Sequence, residues 1–403
     1  MTADLPINEL LAPIRAALRH SDALIIEAPP GAGKTTGVPL ALLDEPWLEG
    51  RRILMLQPRR IATRNAAARL AELLGETPGQ TVGYRMRLDT RVGPATRIEV
   101  VTEGVLRRML ADDPTLDGVG LVIFDEFHER SVDADLSLAL ALQARETFED
   151  DADFRIVFMS ATLAGLPLDQ LLDAPVLRSA GRQHPVAVRW GKPYAPRERI
   201  VDRVPGVVDE ALRRHPGSSV LVFLPGQGEI RRVSAALRVP SDTDLRPLYG
   251  DLSLTEQQRA IAPSPAGRRK VVLATNVAET SLTIDGVDVV IDAGLERVPS
   301  FDPGTAMTRL ATARISRASA EQRCGRAGSL RAGTCYRLWS EGQHKQLAAQ
   351  GEPEIANADL ATLALELLAW GITDPGELHW LTPPPVGAWQ QAMALLTDLG
   401  AIT

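Results

Sequence analysis

Glu27-Ala-Pro-Pro-Gly-Ala-Gly-Lys-Thr-Thr36 is the stretch from which the rest of this chain is read. An apolar run, Ala23–Ile26, leads into it and Val38–Leu43 follows it. The run reads as a short buried strand and the following residues as a helix. A strand, a glycine turn and a helix start form a cradle for phosphate. Backbone N–H groups at a helix N-terminus point at the anion, and the helix dipole favours its charge. Gly31 and Gly33 let the backbone approach with no Cβ in the way, and Ala32 between them stays small. Lys34 reaches the β- and γ-phosphates, the Thr35 hydroxyl is placed to hold Mg²⁺, and Thr36 completes the loop. The commoner form of this loop has glycine six positions before the lysine; here that position is Ala28.

Working outward, apolar runs alternate with helical patterns. Strands are expected at Arg52–Leu56, Arg97–Val101, Leu121–Phe124 and Arg155–Met159. Helices are expected at Ile61–Leu74, Gly104–Leu110 and Asp135–Thr147. Alternation of this kind implies a parallel sheet covered on both faces. It pauses at Gly181–Arg199, rich in Pro, Gly and Arg, which reads as a boundary or linker. A second set follows, with strands at Ser219–Leu224, Arg246–Tyr249, Val271–Ala274 and Val287–Asp292. Its helices are Val208–Arg214, Gly228–Leu237 and Thr255–Ile261. Asp302-Pro-Gly-Thr between Arg297–Phe301 and Met307–Thr312 suggests a β-hairpin. Helical patterns at Ala356–Trp370 and Trp389–Leu399 close the sequence.

A length of 403 residues is too much for one core and implies two to three domains. The content, 45% hydrophobic and 24% charged, is that of a globular protein, and no apolar run approaches the roughly 18–20 residues that span a bilayer. No membrane partner is expected, and Met1–Asn8 lacks the pattern of a signal peptide. Cys324 and Cys335 form no metal pattern and read as small buried side chains in a reducing, cytoplasmic setting. The net charge of −7 would argue against a nucleic-acid partner if it were evenly spread. It is not: from Glu341 onward eight acids face one base, and residues 1–340 are balanced. Nearly all bases are arginine, which suits bidentate phosphate contact, so a local basic groove is compatible with the total.

The second chemistry-bearing stretch is Asp125-Glu126-Phe127-His128-Glu129-Arg130, directly after Leu121–Phe124. An apolar strand ending in two acids puts carboxylates at the C-terminal sheet edge, where ligands of α/β folds sit. There Asp125 would hold Mg²⁺, directly or through water, and Glu126 would orient or deprotonate the attacking water.

With Phe127 in place of the usual alanine, this stretch resembles the DEAH box of superfamily 2 helicases, and other motifs follow in that family's order. Gln57-Pro-Arg-Arg60 is similar to motif Ia, Thr102-Glu-Gly104 to Ib and Ser160-Ala-Thr162 to III. Phe223-Leu-Pro-Gly226 is similar to IV, Ala274–Ser281 to V and Gln322-Arg-Cys-Gly-Arg-Ala-Gly328 to VI. The resemblance runs from about residue 10 to 340, and eight ordered motifs are far more specific than any one of them. It implies an α/β fold of two tandem RecA-like P-loop NTPase domains with parallel sheets, residues 1–180 and 181–340. A small, mainly helical, winged-helix-like segment, 341–403, would follow. Relatives continue from there into ratchet and oligonucleotide-binding domains.

The resemblance also implies roles. ATP with Mg²⁺ would lie between the two domains. Lys34 and Glu126 would act from the first, and Arg326, as an arginine finger, with Gln322 from the second. Arg69 and Asp285 would contact base and ribose. Single-stranded RNA or DNA would lie across both domains, held through its backbone by Arg59, Arg60, Thr102, Thr275 and Asn276, with Arg85 and Arg87 as further candidates. His128, Ser160 and Thr162 would couple the nucleotide site to the rest, His128 through motif VI. The hairpin near Asp302 is similar to the strand-separating hairpin of this family. The implied activity is ATP-driven 3′→5′ translocation and unwinding by a monomer. The alternatives are an NTPase that remodels ribonucleoprotein without processive unwinding, and an idle nucleotide-binding scaffold. Two positions depart from the family. Ser329 stands where a second arginine usually ends motif VI, and Ile261 where an aromatic usually stacks on the base. Weaker turnover and loose base selectivity are the expected consequences.

Overall fold

Parallel pairing brings the ends of distant strands to one edge. In a computed structural model this edge is visible directly; it describes residues 5–148, 151–163, 166, 168–181, 184–194, 198–279, 284–302, 307–329 and 331–402. The first sheet contains β1 (Ala23–Glu27), β2 (Arg52–Gln57), β3 (Val82–Met86), β4 (Asp89–Arg91), β5 (Ile98–Thr102), β6 (Val119–Asp125), β7 (Arg155–Ser160) and β8 (Val176–Arg178). Their order is β4-β3-β5-β2-β6-β7-β1-β8. Every pair is parallel except β3 with β4. The register sets Glu27 beside Ser160, Gln57 beside Thr102, and Asp125 beside Met159. Strand residues such as Leu24–Ile26 and Leu121–Phe124 are fully buried, as a sheet covered on both faces requires.

The next strands are β9 (Val186–Trp190), β10 (Ser219–Phe223), β11 (Thr243–Leu248), β12 (Arg269–Ala274), β13 (Val287–Asp292), β14 (Leu295–Asp302), β15 (Met307–Arg314) and β16 (Gly333–Arg337). The second sheet runs β11-β12-β10-β13-β16-β9 and is parallel throughout. β14 and β15 pair by themselves, with β15 exposed at almost every position; the turn of the expected hairpin, 303–306, lies outside the described residues. Cys324 and Cys335 are both buried and reduced.

Two compact units result. One comprises Met1–Gly181, Pro299–Arg309 and Glu352–Thr403; the other comprises Arg182–Val298 and Leu310–Gly351. The stretch read as a boundary, Gly181–Arg199, holds the division after Gly181 but also β9. β9 alternates half-buried and exposed residues because it is an edge strand with one neighbour, and so short a pattern among prolines and glycines carries little periodic signal.

The expected third segment, 341–403, is divided. Its last part docks on the first unit through the helices Ala361–Trp370 and Val386–Asp398, and no strand occurs in its described residues. Leu363, Leu367, Ala392 and Leu396 enter the same core as Leu136, Leu138 and Leu140 of the helix Val132–Thr147. Trp370 Nε1 donates to Gln143 Oε1 at 2.7 Å. Val132–Thr147 is apolar nearly all round, which marks a helix buried on both sides. That composition was the available sign that another layer must cover it.

Candidate functional site

Gly31 and Gly33 have φ of 80° and 90°, the left-handed region that glycine enters without strain. The reasons for glycine differ at the two positions. A Cβ on Gly33 would strike Leu5 Cδ1 at 2.8 Å, so that position is closed by packing. A Cβ on Gly31 would meet nothing within 4 Å, so the loop is open where an anion would sit. The helix Lys34–Leu42 starts immediately after, with its first N–H groups without helical partners. Lys34 is buried and its Nζ folds onto the carbonyls of Ala28 and Pro29. Glu27 anchors the loop from below: Oε1 accepts from Leu163 N at 3.0 Å and Oε2 from Arg178 Nε at 2.9 Å.

Asp125 ends β6 beside this loop. Its Oδ2 accepts from Thr35 Oγ1 and from Gln57 Nε2, both at 2.6 Å, and its Oδ1 accepts from Glu126 N at 2.9 Å. Burial, together with the Glu126 charge, pushes the Asp125 carboxyl up to about 6 in spite of Lys34. A hydroxyl and a carboxylate oxygen converging at one point is the hard-oxygen donor set that suits Mg²⁺. Glu126 sits at φ 53°, a sharp turn that swings its side chain off the strand line. Its Oε2 lies 3.5 Å from His128 Nδ1, which is also 3.4 Å from Ser160 Oγ. Ser160 Oγ in turn donates to Thr162 O at 2.5 Å. His128, Ser160 and Thr162 therefore form one connected group.

In the second unit motif IV begins at the end of β10, motif V begins at the end of β12, and motif VI lies on the helix Arg317–Gly325 and the turn Arg326–Gly328, with Arg323 reaching Asp292 at the end of β13. Arg326 follows the helix Arg317–Gly325 and is buried, with Nε and Nη2 donating to Glu279 O at 2.9 and 2.6 Å. Gln322 is half-buried on the same helix. Asp285 is exposed and its charge favours the protonated form of Lys270, which burial nonetheless lowers to about 8.

Residues 12–171 match the DEAD/DEAH box helicase domain, and residues 203–331 match the helicase conserved C-terminal domain. The chain is 52% identical to the ATP-dependent RNA helicase HrpB of Escherichia coli (strain K12), over 99% of its own length and 49% of that protein's. The chain belongs to the DEAD/DEAH box helicases. It is also 36% identical to a probable ATP-dependent RNA helicase DHX35 homolog of Caenorhabditis elegans, over 94% of this chain and 54% of that one. Its fold matches the crystal structure of the Escherichia coli DEAH/RHA helicase HrpB with a TM-score of 0.93 at 51% identity, over 99% of this chain and 51% of that one. A second HrpB crystal structure, of the Escherichia coli DExH-box NTPase, gives 0.89 at 51% identity. The chain thus spans about half the length of the relatives it matches.

Other helicase motif residues fall as follows. Arg59 is half-buried and donates to Glu129 Oε2 at 2.9 Å, while Arg60 opens the helix Arg60–Leu73 in an exposed position. Thr102 is the N-cap residue of the helix Glu103–Asp112 and half-buried. Thr275 is half-buried and Asn276 exposed; Thr280 and Ser281 of motif V lie outside the described residues. Arg69 is exposed and donates to Glu72 Oε2 at 2.6 Å. Arg85 keeps a 41% exposed side chain and pairs with Glu99, a buried carboxylate of the same sheet that Arg52 also pairs with. Arg87 is exposed.

At the departure from the family, Ser329 Oγ bonds back to Gly325 O and Arg326 O, at 3.4 and 3.2 Å. Nearby, Arg331 is paired with Asp288 through both its Nε and its Nη2.

Sequence reasoning gave no role to Arg130, the last residue of the DEAH stretch. Its guanidinium makes a two-bond pair with Asp135, each bond 2.9 Å, and Nη2 also donates to Thr382 Oγ1 at 3.0 Å. Its carbonyl accepts from Glu354 N, and Glu354 Oε2 accepts from Val132 N at 3.1 Å. Arg130 thus fastens the C-terminal segment to the first unit. No short-range pattern could have revealed contacts spanning more than two hundred residues.

Proposed function

We propose that this chain is the motor core of an ATP-dependent RNA helicase of the DEAH type. The observation that carries this reading is the Asp125 carboxylate receiving Thr35 Oγ1 at 2.6 Å beside the open glycine loop. Phosphoryl transfer asks the protein mainly for positioning and charge neutralisation. The loop N–H groups of 31–36 would cradle the phosphates. Lys34 would exchange its two carbonyl partners for phosphate oxygens. Thr35 and Asp125 would hold Mg²⁺, which when bound neutralises charge on the β- and γ-phosphates. Glu126 would take the proton of the attacking water, with His128 fixing its orientation. Gln322 and Arg326 would complete the site from the second unit. Arg69 would lie on the base and Asp285 on the ribose. Arg59, Arg60, Thr102, Thr275 and Asn276 would hold the RNA backbone, which positions a strand without reading its sequence. Translocation 3′→5′ and cytoplasmic action as a monomer complete the proposal.

The test is ATP hydrolysis with and without single-stranded RNA and single-stranded DNA, with Glu126→Gln as the inactive control. RNA stimulation that the control lacks is the expected result; no stimulation by either nucleic acid overturns the reading. With Ile261 where an aromatic would stack, GTP, CTP and UTP should be hydrolysed at rates comparable to ATP. A strong preference for ATP in the same assay would defeat that second statement alone.

A further inference from the structure

One buried cation sits among every helicase motif of the second unit, and no chemical step assigned above uses it. Arg323 is 1% exposed. Its Nε donates to Glu279 Oε2 of motif V at 2.8 Å. Its Nη1 donates to Asp292 Oδ1 at the end of β13 and to Leu295 O at the start of β14, both at 3.2 Å. Its Nη2 lies 4.0 Å from Glu296 Oε2, also on β14. The guanidinium carbon stands 5.0 Å from the centre of the Phe223 ring, the first residue of motif IV. Arg326, one helical turn further on, donates twice to the carbonyl of the same Glu279. Two arginines of motif VI thus grip one residue of motif V, one by its side chain and one by its backbone.

Three carboxylates around one buried guanidinium carry more negative charge than it neutralises. Such a group is costly to desolvate, and removing one partner leaves an uncompensated buried charge. Burial accordingly raises the Glu296 carboxyl to about 7, against the pull of Arg323 and with a further push from Glu279 and Asp292. The guanidinium, held through Nε and Nη1, moves as a unit with the helix Arg317–Gly325, because packed interiors do not absorb ångström shifts locally. The root of the exposed ribbon β14–β15 is tied to the same fork through Leu295 and Glu296.

We propose that Arg323 is a positioning residue that couples Arg326 to motif V and to the root of the β14–β15 ribbon. A displacement of Arg326 toward a nucleotide phosphate is then accompanied by displacement of Glu279 and of β14. RNA held near motif V, or against the ribbon, biases Arg326 in return, since coupling between two sites is reciprocal. This inference rests on the function proposed above.

The experiment uses the full chain and measures ATP turnover with and without a single-stranded oligouridylate RNA. Glu296→Gln keeps the shape of the side chain and removes its charge; Arg323→Lys keeps the charge and removes the fork. For each variant alone, RNA-free turnover and KM for ATP should stay within about twofold of the parent, while the stimulation by RNA falls about tenfold. The double variant should be no worse than the worse single one, the signature of two residues in one network. Rates with and without RNA falling in equal proportion, additive losses, or an unchanged stimulation would each overturn the coupling. If Arg323→Lys fails to give a cooperative thermal melt, Glu296→Gln decides alone. A parent chain that RNA does not stimulate at all would instead defeat the functional reading, and this inference with it.

Discussion

The two units differ in what surrounds their most buried charges. In the first, Asp125 and Lys34 are satisfied by small or replaceable partners: a threonine hydroxyl, a glutamine amide and two loop carbonyls. Those bonds are of the kind that a metal ion and a phosphate can displace without breaking an ion pair. In the second, Arg323 is enclosed by three carboxylates, and Arg326 is bonded to a backbone carbonyl. The contacts of Asp125, Lys34 and Arg326 are of the kind that exchange, whereas the ion pairs of Arg323 are of the kind that persist. The same contrast recurs inside the first unit, where Arg130 is locked to Asp135 only a few residues from Asp125. Charge that does chemistry and charge that holds architecture are thus told apart by what their partners cost to remove.

Breaking the exchangeable site should have the largest effect. Lys34→Ala is expected to lower ATP turnover by roughly 10²–10³-fold, through loss of a preorganised cation at the phosphates, with little change in the thermal melt. Steady-state hydrolysis beside a melting curve checks both halves. Breaking a locked pair should do the reverse. Asp135→Ala leaves Arg130 buried without its carboxylate and should cost about 3–5 kcal/mol of stability, read from urea unfolding. The C-terminal segment should become protease-sensitive in the same variant, because Arg130 also holds Thr382 and Glu354.

Smaller effects sharpen the comparison. Ser329→Arg puts back a cation at a position whose neighbour Arg331 is paired with Asp288. It should raise kcat about tenfold, modest beside the 10³–10⁵ of a full arginine finger. An unchanged kcat would show that position 329 is dispensable. Smallest is a pH effect on stability. Burial raises Glu103 to about 8 and Glu296 to about 7, from an ordinary 4.5. The folded chain therefore keeps two protons that the unfolded chain releases. Stability from this source is full below about 4.5 and is lost as pH rises through 7 and 8. Glu103→Gln with Glu296→Gln should flatten that slope in urea midpoints taken across the same range; an unchanged slope would assign it to other groups.

How much was legible depended on the distance over which each signal acts. The loop Glu27–Thr36, the acids at 125–126 and the ordered motifs are local patterns, each required by its own chemistry, and they could be read in one dimension. Alternating runs announced parallel sheets for the same reason, since burial on both faces demands continuous apolar strands. The short edge strand β9 escaped because its 5 residues, set among prolines and glycines, are too few for an alternation to stand out. The pairing of Arg85 with Glu99 was not legible because the two residues meet only across neighbouring strands.

The sequence by itself therefore determined the two-unit α/β frame and the glycine-loop and DEAH motifs placed within it. Tertiary structure alone decided which arginines are committed to carboxylates and which are held by weaker partners. It also decided that the acidic tail closes over the helix Val132–Thr147. The physical reason is the same in both cases. Pairing and burial depend on groups brought together from hundreds of residues apart, and a charge's role is set by its neighbours rather than by its motif.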